Sequence, residues 1–186
     1  MHGTIFAELE RYAVTKLGAE GWPKLLGEAG LSGKHFDPLL EHPDADALAI
    51  VEAACRITGH TSEALLIDFG EFIAPSLLKM YWSLIDSSWR TLDVVENADT
   101  AIHEVVRLSN PGARPPSLEC ERRSDDEVVL TYRSQRRMCA LAKGIARGLA
   151  THYGERIEIE EPTCMLRGDA VCQIWLRRIG DGSGGP

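Results

Sequence analysis

The sequence lacks any apolar run approaching the ~20 residues needed to cross a bilayer. Its opening stretch, MHGTIFAELERYAVTKLG, carries acidic groups early and has no small-residue cleavage site. No secretory leader is therefore expected, and the chain reads as cytoplasmic. Positive charge is also short: 20 Lys and Arg stand against 28 Asp and Glu, a formal net charge of −8. Nucleic-acid binding depends on clustered cations, and the one basic cluster, RSQRR, belongs to no longer stripe. Nucleic acid and membrane are both excluded as partners. A disulfide framework is missing as well. Five cysteines, an odd number scattered from Cys55 to Cys172, fit reduced thiols or a metal site. No internal repeat or low-complexity segment is visible.

What is present suits one domain with a proper core, since 186 residues are too few for two comfortable ones. The first two-thirds reads as helical. Ile5, Leu9, Tyr12 and Leu17 form a helix stripe with Gly18 as its stop, and WPKLLGEAGL is a short helix opened by Pro23. PDADALAIVEAACRITG starts with Asp44 or Asp46 as cap and closes at Gly59. TSEALLIDFGEFIAPSLLKMYWSLI starts at the capping residue Thr61, and Pro75 should kink or divide it. Residues 88–108 read as helix again, with Leu92, Val95, Ile102 and Val106 on one side.

The character changes at NPGARPP, where three prolines break the pattern. SLECERR and EVVLTYR then alternate as two strands joined by SDD. RRMCALAKGIARGLATHYG is a helix, and RIEIEEPTC and AVCQIWLRRI are two further strands around LRGD. The expectation is an α+β fold: a helical part over 1–110, then a four-stranded antiparallel sheet with one inserted helix over 115–180. Together they make a single domain over 1–180, with a flexible tail over 181–186.

At the end of the second strand stands YRSQR. Alternate residues of a strand share a face, so Tyr132, Ser134 and Arg136 would present O–H and N–H donors toward one spot. Such a cluster suits a carboxylate or phosphate, with the Arg136 guanidinium gripping it as a fork. The plainer alternative is an exposed polar strand end. Six histidines are present. His103 stands apart because it lies on an apolar-periodic helix, whereas His2, His35, His42, His60 and His152 read as surface or internally satisfied residues.

The opening MHGTIF, His103 within DTAIHEVVRLSNPGARPPSL, and YRSQR ahead of a helix together resemble the haem-nitric oxide/oxygen binding (H-NOX) domains. These are bacterial relatives of the sensor domain of soluble guanylate cyclase, and the resemblance runs from the first residues to about Ile179. It implies a sensor rather than an enzyme, with haem held between the helical and sheet-containing parts. It implies His103 as the iron ligand, and Tyr132, Ser134 and Arg136 as propionate-binding residues. It places Pro116 against the haem as a distorting residue, with Ile5, Leu9, Ala74, Leu78 and Leu141 in the haem pocket. No Cys-x-x-Cys-His motif is present, so the cofactor would be non-covalent haem b. Oxygen-binding members carry a distal tyrosine where this chain has Leu141, and supporting polar residues where it has Leu9 and Ala74. The expected ligands are therefore nitric oxide and carbon monoxide, with oxygen excluded.

Some members also hold a structural zinc on three cysteines and a histidine. The matching positions here are Cys139, Cys164 and Cys172, with Glu161 in place of the histidine. The resemblance further implies signalling to a separate protein, such as a histidine kinase, a cyclic-di-GMP enzyme or a quorum-sensing circuit. Two other readings stand beside it. One is a haem-independent zinc and thiol redox sensor, with oxidation of Cys139, Cys164 or Cys172 as its signal. The other is a porphyrin-handling small-ligand domain of vinyl-reductase type, suggested by EPTCMLRGDAVCQIWL.

Overall fold

Helix ends fall largely where backbone polar groups find caps. In the computed structural model, which describes residues 1–110 and 112–181, α1 spans Gly3–Leu17. Pro111 of the NPGARPP break and residues 182–186 of the expected tail lie outside the described residues. The first turn of α1 is satisfied by His2, whose Nδ1 accepts from the Thr4 N–H at 3.3 Å. The helix stops at Gly18, with a φ of 82° and its N–H on Val14 O. α2 (Gly21–Glu28) carries Pro23 in its first turn, where a missing N–H costs nothing. α3 (Asp44–Thr58) ends at Gly59 in the left-handed conformation. Its N-terminus differs from expectation: neither Asp44 nor Asp46 caps it. Both lie inside the first turn and are drawn to cations instead, Asp44 to the chain's amino group at 2.8 Å and Asp46 to Lys34 at 2.5 Å.

α4 (Ser62–Met80) opens with Thr61 Oγ1 accepting the Ala64 N–H at 3.2 Å. It runs through Pro75 without dividing. Packing overrides the proline. α7 (Cys139–Tyr153) lies so close along α4 that a Cβ on Gly144 would sit 2.2 Å from Ile67 O, and one on Gly148 would sit 2.8 Å from Glu71 O. Glu71 O is the carbonyl that Pro75 leaves without its helical donor. Only glycine permits that approach.

The strands follow their alternation. β1 (Ser117–Ser124) and β2 (Glu127–Arg133) form the hairpin, pairing Ser117 with Arg133 and Leu118 with Tyr132. After α7 come β3 (Glu155–Thr163) and β4 (Cys172–Asp181). All neighbours are antiparallel in the order β1-β2-β4-β3, so β2 and β4 are central. Their buried residues Val128, Leu130, Tyr132, Cys172, Ile174 and Leu176 form one apolar cluster with α7 and with Leu92 and Val95. A second cluster, including Phe6, Leu9, Phe36, Ile50, Phe69 and Ile73, holds α1–α4 together. The expected α+β architecture is what the chain adopts. No helix among the described residues is long and apolar enough to cross a membrane.

Candidate functional site

Tyr132 is the second-last residue of β2, 3% exposed, with Leu118 and Cys172 beside it on the flanking strands. Burial pushes its phenol above the ordinary value, against the opposing pull of Ser134, the Met138 backbone and Arg136. It therefore stays protonated, a donor. Ser134 and Arg136 do not continue the strand, as the alternation implied. β2 ends at Arg133, and the chain turns: Arg137 N–H donates to Ser134 O at 3.1 Å and Arg136 N–H to Ser134 Oγ at 3.2 Å. Arg137 absorbs the bend at φ 51°. A turn, not a shared strand face, brings the three side chains to one end of the sheet.

Arg136 is well ordered by its partners. Its Nη1 lies 3.2 Å from Asp44 Oδ1, and its Nη2 donates to Arg114 O. Asp44 also meets the Met1 amino group, which itself lies 3.2 Å from Glu41. Burial alone would raise the Asp44 pKa, but the amino group and Arg136 together hold it below the ordinary value. The position thus already receives a carboxylate, at the meeting point of the chain start, α3 and the segment before β1.

His103 stands at the end of an irregular helical stretch. The helix read over 88–108 is three pieces: α5 (Thr91–Asn97), a π-helical turn over Ala98–His103, and α6 (Glu104–Ser109). In the wide turn, Glu104 N–H reaches back five residues to Asp99 O. Such turns favour functional positions. The imidazole is largely buried, with 19% of the side chain exposed. Its Nδ1 lies 3.3 Å from Asp99 Oδ1, and Asp99 is held in turn by Arg107 at 3.0 Å and the Leu118 N–H at 3.4 Å. Burial lowers the His103 pKa against the opposing pull of Asp99 and of the Pro116 backbone. A neutral imidazole has one donor and one acceptor nitrogen, and the acceptor is the kind of atom that can take a metal. It is the backbone of Pro116 that meets the imidazole.

Of the expected apolar wall, Ile5, Leu9 and Leu141 fall in the α1–α4 cluster with Phe69, Ile73 and Met138. Leu78 joins the sheet-side cluster instead. Ala74 is fully buried, and its Cβ would lie 2.5 Å from a Cβ on Gly148, so it serves the α4–α7 seam. The hydroxyl of Tyr12 is taken by Asp68 at 2.5 Å, beside Lys16.

The cysteines form a separate cluster. Cys139 opens α7, Cys164 follows β3, and Cys172 opens β4; all three are buried. Cys164 Sγ lies 3.6 Å from Cys139 Sγ and 3.8 Å from Cys172 Sγ. Thiolates ~2.3 Å from a tetrahedral zinc lie ~3.8 Å from one another, so these separations match that polyhedron. Glu161 joins from β3, where the register shifts between Glu160 and Thr163. Its carboxylate and the three sulfurs lie within 4.8 Å of one another. Glu161 Oε1 is buried without a hydrogen-bond partner, an acceptor that a cation would satisfy. Burial raises the Cys139 and Cys172 thiols, so both are protonated unless a cation is bound. The donor set therefore fits a thiophilic divalent ion. Cys55 lies outside this set, and Cys120 directs its sulfur to Val95 O.

Asp44 and Asp99 were not legible in the sequence as partners of Arg136 and His103. Asp99 had a usable signal, since it precedes His103 by one helical turn. Asp44 had none, because its partner lies 92 residues away.

The sequence matches the haem-NO-binding family over residues 2–161. It is 25% identical to the soluble guanylate cyclase gcy-31 of Caenorhabditis elegans over 138 residues, 74% of this chain and 20% of that protein. The chain thus spans about a fifth of the length of the curated relatives it matches. Its fold is that of an H-NOX protein from S. oneidensis. A variant of that protein in the Fe(II) ligation state superposes with a TM-score of 0.90 at 23% identity, covering 98% of both chains. Its Fe(II)NO form gives 0.89 at the same identity, over 97% of this chain and 100% of that one.

Proposed function

Because the chain belongs to the haem-NO-binding family, we propose that it is a haem-based sensor of nitric oxide. The observation carrying this reading is that Tyr132, Ser134 and Arg136 sit together at the end of β2, with the Arg136 guanidinium already holding a carboxylate, that of Asp44. Bound haem b would supply the iron that takes up nitric oxide or carbon monoxide. An H-NOX protein from S. oneidensis is known in Fe(II)NO and Fe(II)CO ligation states, which supports the same ligands here. His103, neutral and buried, would be the protein residue that holds the iron, kept in orientation by Asp99. Arg136, with the Tyr132 and Ser134 hydroxyls, would bind the propionates by charge-assisted hydrogen bonds. Pro116 would press on the haem from the His103 side.

Ile5, Leu9 and Leu141 have no side-chain donor, and Tyr12 spends its hydroxyl on Asp68. Such a wall offers dioxygen no hydrogen bond, whereas nitric oxide depends on one much less. We read residues 1–180 as one sensing unit that passes its signal to an effector, such as a histidine kinase or a cyclic-di-GMP enzyme. Cys139, Cys164, Cys172 and Glu161 would hold a structural zinc that ties α7 to the ends of β3 and β4.

Absorption spectra of the reduced protein, alone and with nitric oxide, carbon monoxide or air, test the reading. A Soret band that shifts with the first two gases and not with air is expected. His103→Gly should make the spectrum depend on added imidazole. A protein left colourless after haem reconstitution, or a His103→Gly spectrum identical to wild type without imidazole, would overturn it.

A further inference from the structure

Lys143 is a buried cation that neither the fold nor the haem reading requires. It lies on α7 four residues after Cys139, one helical turn on, so the two share a face. It is 8% exposed, a degree of burial that lysine almost never reaches unpaired. Its Nζ lies 2.9 Å from Glu161 Oε2 and 2.7 Å from Glu63 Oε1. Glu63 stands at the surface with 61% of its side chain exposed, whereas Glu161 is as buried as the lysine. One oxygen of Glu161 is thus gripped, the other is buried without a hydrogen-bond partner, and the carboxylate lies within 4.8 Å of the three sulfurs. Arg167 is a poorer candidate for that grip. Its Nη1 is 3.9 Å from Oε2, its side chain is half exposed, and its Nη2 donates to the Glu161 backbone carbonyl at 2.6 Å.

We infer that Lys143 is the positioning residue that lets a carboxylate replace the usual imidazole as the fourth ligand of the cysteine site. The inference rests on the proposed zinc. Three thiolates around a divalent zinc leave a singly negative complex, and a neutral imidazole in the fourth place keeps it so. A carboxylate makes the complex doubly negative inside a low-dielectric core, where excess charge is costly. Among the buried groups the ammonium of Lys143 returns the total to a single negative charge, while Glu63 and Arg167, of opposite sign, stand at the solvent edge where their charges are screened. Glu161 and Lys143 together therefore match an imidazole in charge, and the Nζ–Oε2 contact also fixes which oxygen faces the sulfurs.

The test is zinc(II) affinity of the full chain, measured by competition with a chromogenic chelator. It is paired with cobalt(II) substitution, whose ligand-field and thiolate charge-transfer bands report tetrahedral sulfur coordination. Lys143→Met should weaken zinc binding ~10- to 100-fold, the range for loss of a residue supporting a ligand, and should shift the cobalt bands. Lys143→Met/Glu161→His should bind within a few-fold of wild type. Glu161→His alone, leaving the lysine with only the exposed Glu63 as partner and its charge beside the metal, should bind less tightly than the double variant. If wild type is zinc-loaded and Lys143→Met binds equally well, or the double variant is no tighter than Lys143→Met, the role assigned to Lys143 is wrong. If wild type takes up no zinc or cobalt, the zinc reading itself falls, and this inference with it. Should Lys143→Met fail to fold, the comparison of Glu161→His with the double variant decides the matter.

Discussion

Replacing Arg136 by Met should weaken haem retention by about an order of magnitude while leaving the fold nearly intact, for reasons that lie in its partners. The side chain is 13% exposed and makes two polar contacts, to Asp44 and to Arg114 O. Deleting it does not orphan Asp44, because that carboxylate keeps the Met1 amino group at 2.8 Å and is 41% exposed. The folding cost is therefore modest. A hydrogen bond to a charged group contributes about 1.5–3 kcal/mol. Because Arg136 must share its guanidinium with Asp44, the gain on binding a propionate lies at the low end of that range. A loss of about 1.5 kcal/mol is roughly tenfold in affinity. The assay is haem transfer to excess apomyoglobin, with circular dichroism melting as the control for folding. Asp44→Asn provides the opposite perturbation: it removes the competing carboxylate and should retain haem at least as well as wild type. Equal transfer rates for wild type and Arg136→Met would refute the reasoning, as would an Asp44→Asn variant that sheds haem as fast as Arg136→Met.

At the α4–α7 seam, Gly144→Ala would bring a Cβ to 2.2 Å from Ile67 O, so the helices must part; about 1–3 kcal/mol should be lost, read as several degrees of Tm. Burial would raise the Asp68 pKa, but hydrogen bonds from Lys16 and Tyr12 hold it below its ordinary value of 3.8. The folded protein therefore binds that proton less readily than the unfolded chain. Its stabilisation is present above 3.8 and is lost as pH falls through the lower folded value, so Asp68→Asn should flatten the acid limb of urea-unfolding stability in that window. Burial, with Glu96 and Asp99, pushes the Cys120 thiol up to about 12, so iodoacetamide at mildly alkaline pH should modify it only on unfolding, as mass spectrometry would show. Leu141→Tyr should slow loss of the reduced spectrum in air if its hydroxyl enters the gas pocket, whereas a wild-type protein that already holds oxygen stably would refute the apolar-wall argument.

Elements whose signals are local were legible in the sequence. Gly18 and Gly59 end helices because the backbone there adopts φ of 82° and 74°, and Thr61 opens α4 through its own hydroxyl. EVVLTYR is β2 residue for residue, since alternation and a neighbouring turn suffice to define a hairpin strand. Pro75 does not divide α4 as its local cost allowed, and the glycine-lined seam that packs beside it is made by residues of α7 some seventy positions away. The π-helical turn before His103 was hidden for a related reason. Ile102 and Val106 keep helical spacing whether or not one turn is widened, so periodicity cannot register it.

The site residues divide along the same line. His103, Tyr132, Ser134 and Arg136 were legible as residue types, but the convergence of the last three was assigned to a strand face when a turn at Ser134–Arg137 produces it. Strand alternation would have kept Arg136 on the face that Tyr132 buries against α7. The turn instead carries Arg136 back onto Asp44 and the chain start, so that a strand end, a helix start and an amino group share one electrostatic site. Glu161 shows the converse. In the sequence it is only a departure from the imidazole expected beside three thiolates, and a departure of that kind argues against a metal. In the fold, a lysine from one turn along α7 meets that carboxylate, and the same residue becomes one half of a neutral pair. A substitution at a ligand position can be judged only together with the charge that packs behind it.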